Sequence, residues 1–436
     1  MRGATVAVVG GSIAGCAFAS AAVRAGAEGV VVLERTRGRL ADRGLGLCVH
    51  DDRADELTAA GALPAGIPAH RLERRRWVVR DPREAGGRLI WEQPFPFHSY
   101  HWGLLWRGLR AATPDSVVYR QGETVEAVTG DGGGAGIRFA GGAVERYDLA
   151  VGADGYRSVV REALCPGARP HYAGYVCWRG NFDAGRLAGL GGAADPHPGA
   201  VTTVCFAGGS CVIYRIPGPD GPRVNWVLYA PPPRDGGLRF DDPTSFPPGA
   251  LTPELSAHLR ALLEREFPAY WGAALALTDP ADTFVQPIYD LETERVAGGR
   301  LLLAGDAATV VRPHNTSGAA KALQDAAAFA AAWRRAGTWE ELVDGYQAAR
   351  GRAGRDLVAL ARRLGRAQVE RTPAWASMGP QEVAAWWQGQ LGGAAGIGGQ
   401  ALTPAAAAPP APAAPPAQAA PPAADADAAR AGGTAP

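Results

Sequence analysis

The opening thirty-four residues leave few folds available to the chain. An apolar run of strand length, Thr5-Val6-Ala7-Val8-Val9, meets the turn Gly10-Gly11-Ser12-Ile13-Ala14-Gly15; small residues then continue to Gly26, and a second apolar run follows, Val30-Val31-Val32-Leu33. A buried strand, a glycine turn, a helix and another buried strand make a βαβ unit with parallel strands. The turn matches G-x-G-x-x-G at its first and third glycines and carries Ser12 at the second. Gly10 permits the tight turn, Gly15 lets helix and strand pack closely, and Ser12 is small enough to preserve a close backbone approach. The helix N-terminus then offers unpaired N–H groups and the positive end of its dipole to a pyrophosphate. Glu34 closes the second strand, placed to accept hydrogen bonds from an adenosine ribose. Gly10, Ser12, Ile13, Ala14, Gly15, Glu34 and the adjacent Arg35 are the candidate dinucleotide-binding residues; the turn alone fits NAD and FAD equally.

Composition narrows the partner. The formal charge of 436 residues is only +1, and nearly every cation is Arg, Lys321 being the sole lysine. Acidic and basic residues are interspersed, so no basic face for nucleic acid or an anionic membrane is expected, and the partner should be a small molecule. Cys16, Cys48, Cys165, Cys177, Cys205 and Cys211 lack the spacing of zinc ligands and read as reduced core residues of a cytoplasmic protein, with no metal site. The apolar N-terminus is interrupted by glycines and ends at Glu34, unlike a signal peptide, and no apolar run is long enough to span a bilayer.

Further along, β-rich runs flanking Asp81–Gly87 suggest a hairpin at Arg76–Trp91, and a helix is expected near Trp102–Ala112. From about 170 to 285, short strands such as Cys211–Ile216 and Arg223–Tyr229 alternate with Pro/Gly turns. The strand Arg300–Ala304 leads to helices over about Ala319–Arg335 and Thr338–Gln368. The expected fold is α/β: a Rossmann-like domain with a parallel sheet (1–75, 100–168 and 286–370), plus a mostly antiparallel substrate domain (76–99 and 169–285) and C-terminal helices. Residues 371–393 are unassigned. The Pro/Ala/Gly tract of 394–436 has too few large apolar residues to offset the entropy of ordering and is expected to be a disordered tail.

Two later segments choose the cofactor. Asp148-Leu149-Ala150-Val151-Gly152-Ala153-Asp154-Gly155 resembles the Asp-Gly motif of the class A FAD-dependent monooxygenases. Arg300-Leu301-Leu302-Leu303-Ala304-Gly305-Asp306 resembles their Gly-Asp motif, with Pro313, Gly318 and Asp325 at the expected places. Within that family the chain is similar to the 2,6-dihydroxypyridine 3-monooxygenase-like branch in Gly10–Gly15, Tyr175–Gly180, Asn225–Tyr229, Gln286–Leu291 and Arg312-Pro313-His314. The resemblance covers roughly residues 4–365. It implies a p-hydroxybenzoate hydroxylase-like fold holding FAD, with Arg107 and Asp306 against the cofactor and Asp154 serving flavin and nicotinamide. Gly318 and Ala319, opening a helix, would stabilise negative charge on the reduced ring.

The activity so implied is hydroxylation of a small electron-rich aromatic or heteroaromatic substrate. NADH or NADPH is the transient reductant, O2 the co-substrate, and a flavin C4a-hydroperoxide the oxygen donor. Family members are often homodimers. His314 and His50 are candidates to share the substrate's proton, and Tyr214, Trp226 and Tyr229 candidates to wall an aromatic pocket. Strand alternation sets Asn225, Val227 and Tyr229 on one face and Trp226 and Leu228 on the other. A halogenase is disfavoured by the missing lysine and Trp-x-Trp-x-Ile-Pro segment. An epoxidase, an indole oxygenase, an oxygen-independent FAD reductase and a non-catalytic redox sensor stay open as alternatives.

Overall fold

The computed structural model describes residues 1, 3–38, 45–191, 197–234, 237, 239–241 and 249–402. Its first sheet has six strands in the order Ala297–Gly298, Leu301–Leu303, Leu149–Gly152, Thr5–Val9, Gly29–Glu34 and Val117–Gln121. All neighbours are parallel except the first pair. Val6, Val8, Val32, Leu302 and Leu303 are fully buried, the continuous apolar strands of a sheet covered on both faces. Helices Ile13–Ala25 and Gly318–Arg335 pack against each other there, with the Phe18 and Phe329 rings 5.1 Å apart.

Register decides where the chemistry gathers. Val9 is level with Gly152 and Leu33, and Gly152 is level with Leu303. The chain therefore leaves this sheet at one carboxyl edge as Gly10, Glu34, Ala153-Asp154 and Ala304-Gly305-Asp306, where ligands of open parallel sheets bind.

The second sheet has eight strands: Phe284–Asp290, His171–Asp183, Arg223–Ala230, Gly209–Ile216, Ala200–Phe206, His70–Asp81, Glu84–His101 and Gly46–His50. Every pair is antiparallel except Ala200–Phe206 with His70–Asp81. One face carries Trp178, Trp226, Leu228 and Ile213 and is covered by helices Pro253–Glu266 and Ala269–Leu275 through Leu255, Leu262, Phe267 and Trp271. The other turns toward the flavin-motif loops. A three-stranded sheet, Val125–Asp131, Gly134–Phe139 and Val144–Tyr147, flanks the first.

The expected hairpin forms with longer arms and a tight turn in which Asp81 pairs with Glu84. Its strand His70–Asp81 runs straight through the boundary expected at 75, and Gly46–His50 also joins the second sheet. Helix Pro380–Leu391, in the unassigned stretch, sets Trp387 beside Trp77 and Trp386 beside Trp375. The disorder expected of the tail from 394 is corrected over residues 394–402. Gly398 N–H donates to the Asn315 carbonyl, and Leu402 N–H to Glu56 Oε2. Backbone bonds fix these residues, an interaction for which side-chain size is irrelevant. The remainder of that tail, from 403 on, lies outside the described residues.

Candidate active site

The cradle at the edge of the first sheet is shaped by backbone crowding. Gly10 adopts φ +101°, and a Cβ there would sit 2.4 Å from the Ala153 carbonyl oxygen; at Gly15 it would meet the Gly10 carbonyl at 1.9 Å. Only glycine fits either position. Glu34 is buried and orders the turn itself: Oε2 accepts from Gly11 N–H and Oε1 from Thr36 N–H, both at 2.8 Å. The indole N–H of Trp106 and the hydroxyl of Tyr119 both donate to the Gly11 carbonyl. Arg35 and Arg107 are exposed.

These residues fit an FAD. Helices Ile13–Ala25 and Gly318–Arg335 both begin without a side-chain cap on their first amides, leaving those N–H groups for an anionic ligand. Nothing stands within 4 Å of a Cβ placed on Gly318, and Gly318 and Ala319 are accessible. Asp154 accepts from Val159 N–H through Oδ2, while its Oδ1 is buried without a partner; burial raises its pKa. Asp306 is exposed to solvent. Desolvation pushes its pKa up, and Lys321 pulls it down. Behind it the sole lysine is buried, its Nζ donating to the Gly305 carbonyl at 2.5 Å. Asp325 accepts from Gly305 N–H at 2.8 Å and from Arg350 at 2.6 Å, pinning the loop to the helix Trp339–Gly365.

Pro313–Asn315 forms a single helical turn, and Thr316 follows at φ 56°, among the described residues the one non-glycine with positive φ. Asn315 accepts from Ser317 N–H and donates to the Leu357 carbonyl, holding the β-branched Thr316 in that strained region. Arg312 enters the same loop from a buried ion network: Asp290 receives Arg312 at 2.8 Å and Arg362 at 2.6 Å, and Glu370 receives Arg312 at 3.1 Å.

That network places His314 against the second sheet. Its Nε2 is 2.9 Å from the Tyr175 hydroxyl, and its ring lies 4.1 Å from that of Tyr229. Burial, then Arg312 and Arg75, lowers its pKa to about 3. The imidazole is therefore neutral near pH 7. Asn225 and Tyr214 are cross-strand partners on the Tyr229 face. Asn225 accepts from Gly46 N–H and leaves Nδ2 buried and unpartnered, and Arg179 donates to the Gly46 carbonyl with its Nε likewise unpartnered.

Two expected residues do different work. Trp226 lies on the opposite face, since its strand pairs without a bulge; it packs among Trp178, Leu228 and Trp271 and donates to Thr278 Oγ1 at 2.8 Å. His50 is the N-cap of helix Asp51–Ala59, its Nδ1 accepting from Asp52 N–H at 3.2 Å and its ring edge-on to Phe97. Tyr214 packs with Leu72, Phe97 and Val201. Sequence reasoning missed Tyr175, Arg75 and Arg179 as functional candidates. Tyr175 and Arg179 stand in the Tyr175–Gly180 segment, where strand alternation puts them with Cys177 on one face; Arg75 had no comparable signal.

Residues 260–361 match the FAD binding domain family. The chain is 30% identical over 340 residues to 2,6-dihydroxypyridine 3-monooxygenase of Paenarthrobacter nicotinovorans, covering 74% of this chain and 81% of that protein. It is 30% identical over 338 residues to a 3-amino-4-hydroxybenzoate 2-monooxygenase of Streptomyces platensis, covering 74% and 77%. Its fold matches the structure of 2,6-dihydroxypyridine-3-hydroxylase from Arthrobacter nicotinovorans with a TM-score of 0.73 at 24% identity, over 87% of this chain and 97% of that one. Among the described residues no helix is long and apolar enough to cross a membrane.

Proposed function

The chain belongs to the FAD-dependent aromatic monooxygenases, and from that premise we propose that it hydroxylates a small electron-rich hydroxyaromatic or hydroxypyridine, using NADH or NADPH and O2. Bound FAD supplies the redox chemistry, one oxygen atom going to the ring and the other leaving as water. The protein contributes position and electrostatics. The Gly10–Gly15 turn and its helix receive the pyrophosphate, Glu34 the ribose, and Asp306 the ribityl region. The Gly318 and Ala319 amides favour negative charge on the cofactor.

On the substrate side, Tyr175, Tyr229 and His314 form an aromatic wall. The neutral Tyr175–His314 pair shares one hydrogen bond, so it can hydrogen-bond a substrate hydroxyl without adding a charge beside it. The observation that carries this reading is the His314–Tyr229 ring contact at 4.1 Å, which joins the flavin-motif loop to the second sheet.

The test is turnover of the purified chain with a panel of phenols and hydroxypyridines under 18O2. Bound flavin, reductant consumption stimulated by one ring class, and a product carrying a single label are expected. Bound flavin with no labelled product from any ring would overturn it.

A further inference from the structure

The second sheet buries a cation without a counter-ion. Arg75 is 4% exposed, in the middle of strand His70–Asp81. Its Nε donates to Thr203 Oγ1 at 2.8 Å, and its guanidinium lies over the rings of Trp77, at 4.2 Å, and Trp387, at 5.3 Å. Among the described residues no carboxylate pairs with it, and its two amino groups have no acceptor. Its ionisable neighbours are the Cys205 thiol and the Tyr229 phenol, and its charge reaches His314. Arg312, by contrast, has Asp290 and Glu370. Burying a guanidinium costs several kcal/mol unless an anion meets it. Here the tryptophans offset part of that cost and fix the plane of the group, while the two amino groups stay free.

We propose that Arg75 is the specificity-determining residue of the pocket and takes a carboxylate carried on the substrate's hydroxyaromatic ring. With Nε held by Thr203, the remaining edge of the guanidinium presents two parallel donors, the fork that a carboxylate fills with both oxygens and a phenolate oxygen meets at one point. Tyr229 and His314, on the flavin-loop side of the same face, then border the ring. The assignment rests on the monooxygenase reading above and adds its substrate class, a hydroxybenzoate or hydroxypyridine carboxylate.

The test uses the full-length, FAD-loaded protein and two probe pairs, 4-hydroxybenzoate with 4-hydroxybenzamide and 6-hydroxynicotinate with 2-hydroxypyridine. Binding is read from perturbation of the flavin absorbance and, independently, from quenching of tryptophan fluorescence, since Trp77 and Trp387 flank the site. The acids should bind at least tenfold more tightly than their neutral partners. Arg75→Gln should bring that ratio close to one with neutral-ligand affinity retained, and Arg75→Lys should keep part of it. A wild-type ratio near one overturns the assignment, as does an undiminished ratio in a flavin-replete Arg75→Gln protein. Affinity that follows the ionisation of the ring hydroxyl instead of the carboxylate also overturns it, in favour of phenolate recognition. Should Arg75→Gln not fold, the wild-type ratio and the lysine variant decide. Labelled product from neutral phenols at the same KM as from the acids leaves the monooxygenase standing and removes the carboxylate; acid-selective quenching with no product from any ring does the reverse.

Discussion

The two large sheets solve the same problem, placing polar chemistry beside a packed core, in opposite ways. The parallel sheet keeps its chemistry off the strands: Gly10, Glu34, Asp154 and Asp306 all stand at or just beyond the strand ends, brought level by register. The eight-stranded sheet carries its chemistry on the strands, with Arg75, Tyr175, Arg179, Asn225 and Tyr229 on one face and a wall of tryptophan and leucine on the other. In the first sheet backbone geometry dominates, and single glycines are indispensable. In the second, function is a matter of parity, and one residue of slip would exchange the pocket for the core.

The largest test of that contrast is Gly15→Val. The new side chain collides with the Gly10 carbonyl, so the cradle is expected to lose its flavin and the protein more than about 4 kcal/mol of stability, read from the 450 nm absorbance and from urea melts. A folded, yellow variant would separate the turn from cofactor binding. Next comes Asp290→Ala, which leaves one arm of the buried Arg312 without its anion and the half-buried Arg362 with Glu292 alone. A loss of about 3–5 kcal/mol is expected, with weakened flavin retention because Arg312 leads into the His314 turn.

Third is a pH dependence. His314 is held near 3 in the folded protein and titrates near 6.5 when unfolded. Between those values the unfolded chain binds more protons, so stability falls as pH drops through the window, by up to about 1.4 kcal/mol per unit from this group. Urea midpoints at pH 7 and pH 5 should differ less in His314→Gln than in the parent, and equal slopes would assign the acid sensitivity elsewhere. The smallest effect sharpens the parity argument. Trp226→Phe should lose about 1 kcal/mol with its hydrogen bond to Thr278 and leave KM for the aromatic substrate unchanged, whereas Tyr229→Ala should raise KM severalfold.

The same contrast explains what could be read from the chain itself. The Gly10–Gly15 turn was legible because its constraints are local, a strand, a glycine and a helix start, whereas Asp154 and Asp306 were singled out only by the resemblance of their segments to the class A monooxygenase motifs. Alternation set Tyr229 and Trp226 on opposite faces of their strand but did not say which face meets the flavin-motif loop. Arg75 was not legible. It sits among Arg71, Arg74, Arg76 and Arg80, and pairing shifts at Leu72/Arg74 and Trp77/Val78 decide which of them turns inward; a bulge that reassigns faces has no compositional signature. His50 failed for a related reason, since a histidine that caps a helix and one that moves a proton look alike in sequence. Residues 394–402 were missed because backbone hydrogen bonds hold them.

The strand order of the parallel sheet also sets a schedule for making the protein. Thr5–Val9 lies beside Leu149–Gly152, which lies beside Leu301–Leu303, so adjacent threads of one sheet are separated by about 150 residues of translation. At typical elongation rates the first strand waits about 15 to 60 s for the third. Through that interval an apolar strand and its glycine turn exist on the ribosome without the Gly305-Asp306 wall of their pocket. The cofactor site thus cannot be completed until roughly the last third of the chain is being translated, and a nascent chain arrested before Leu301 carries the first motif without the means to enclose a flavin.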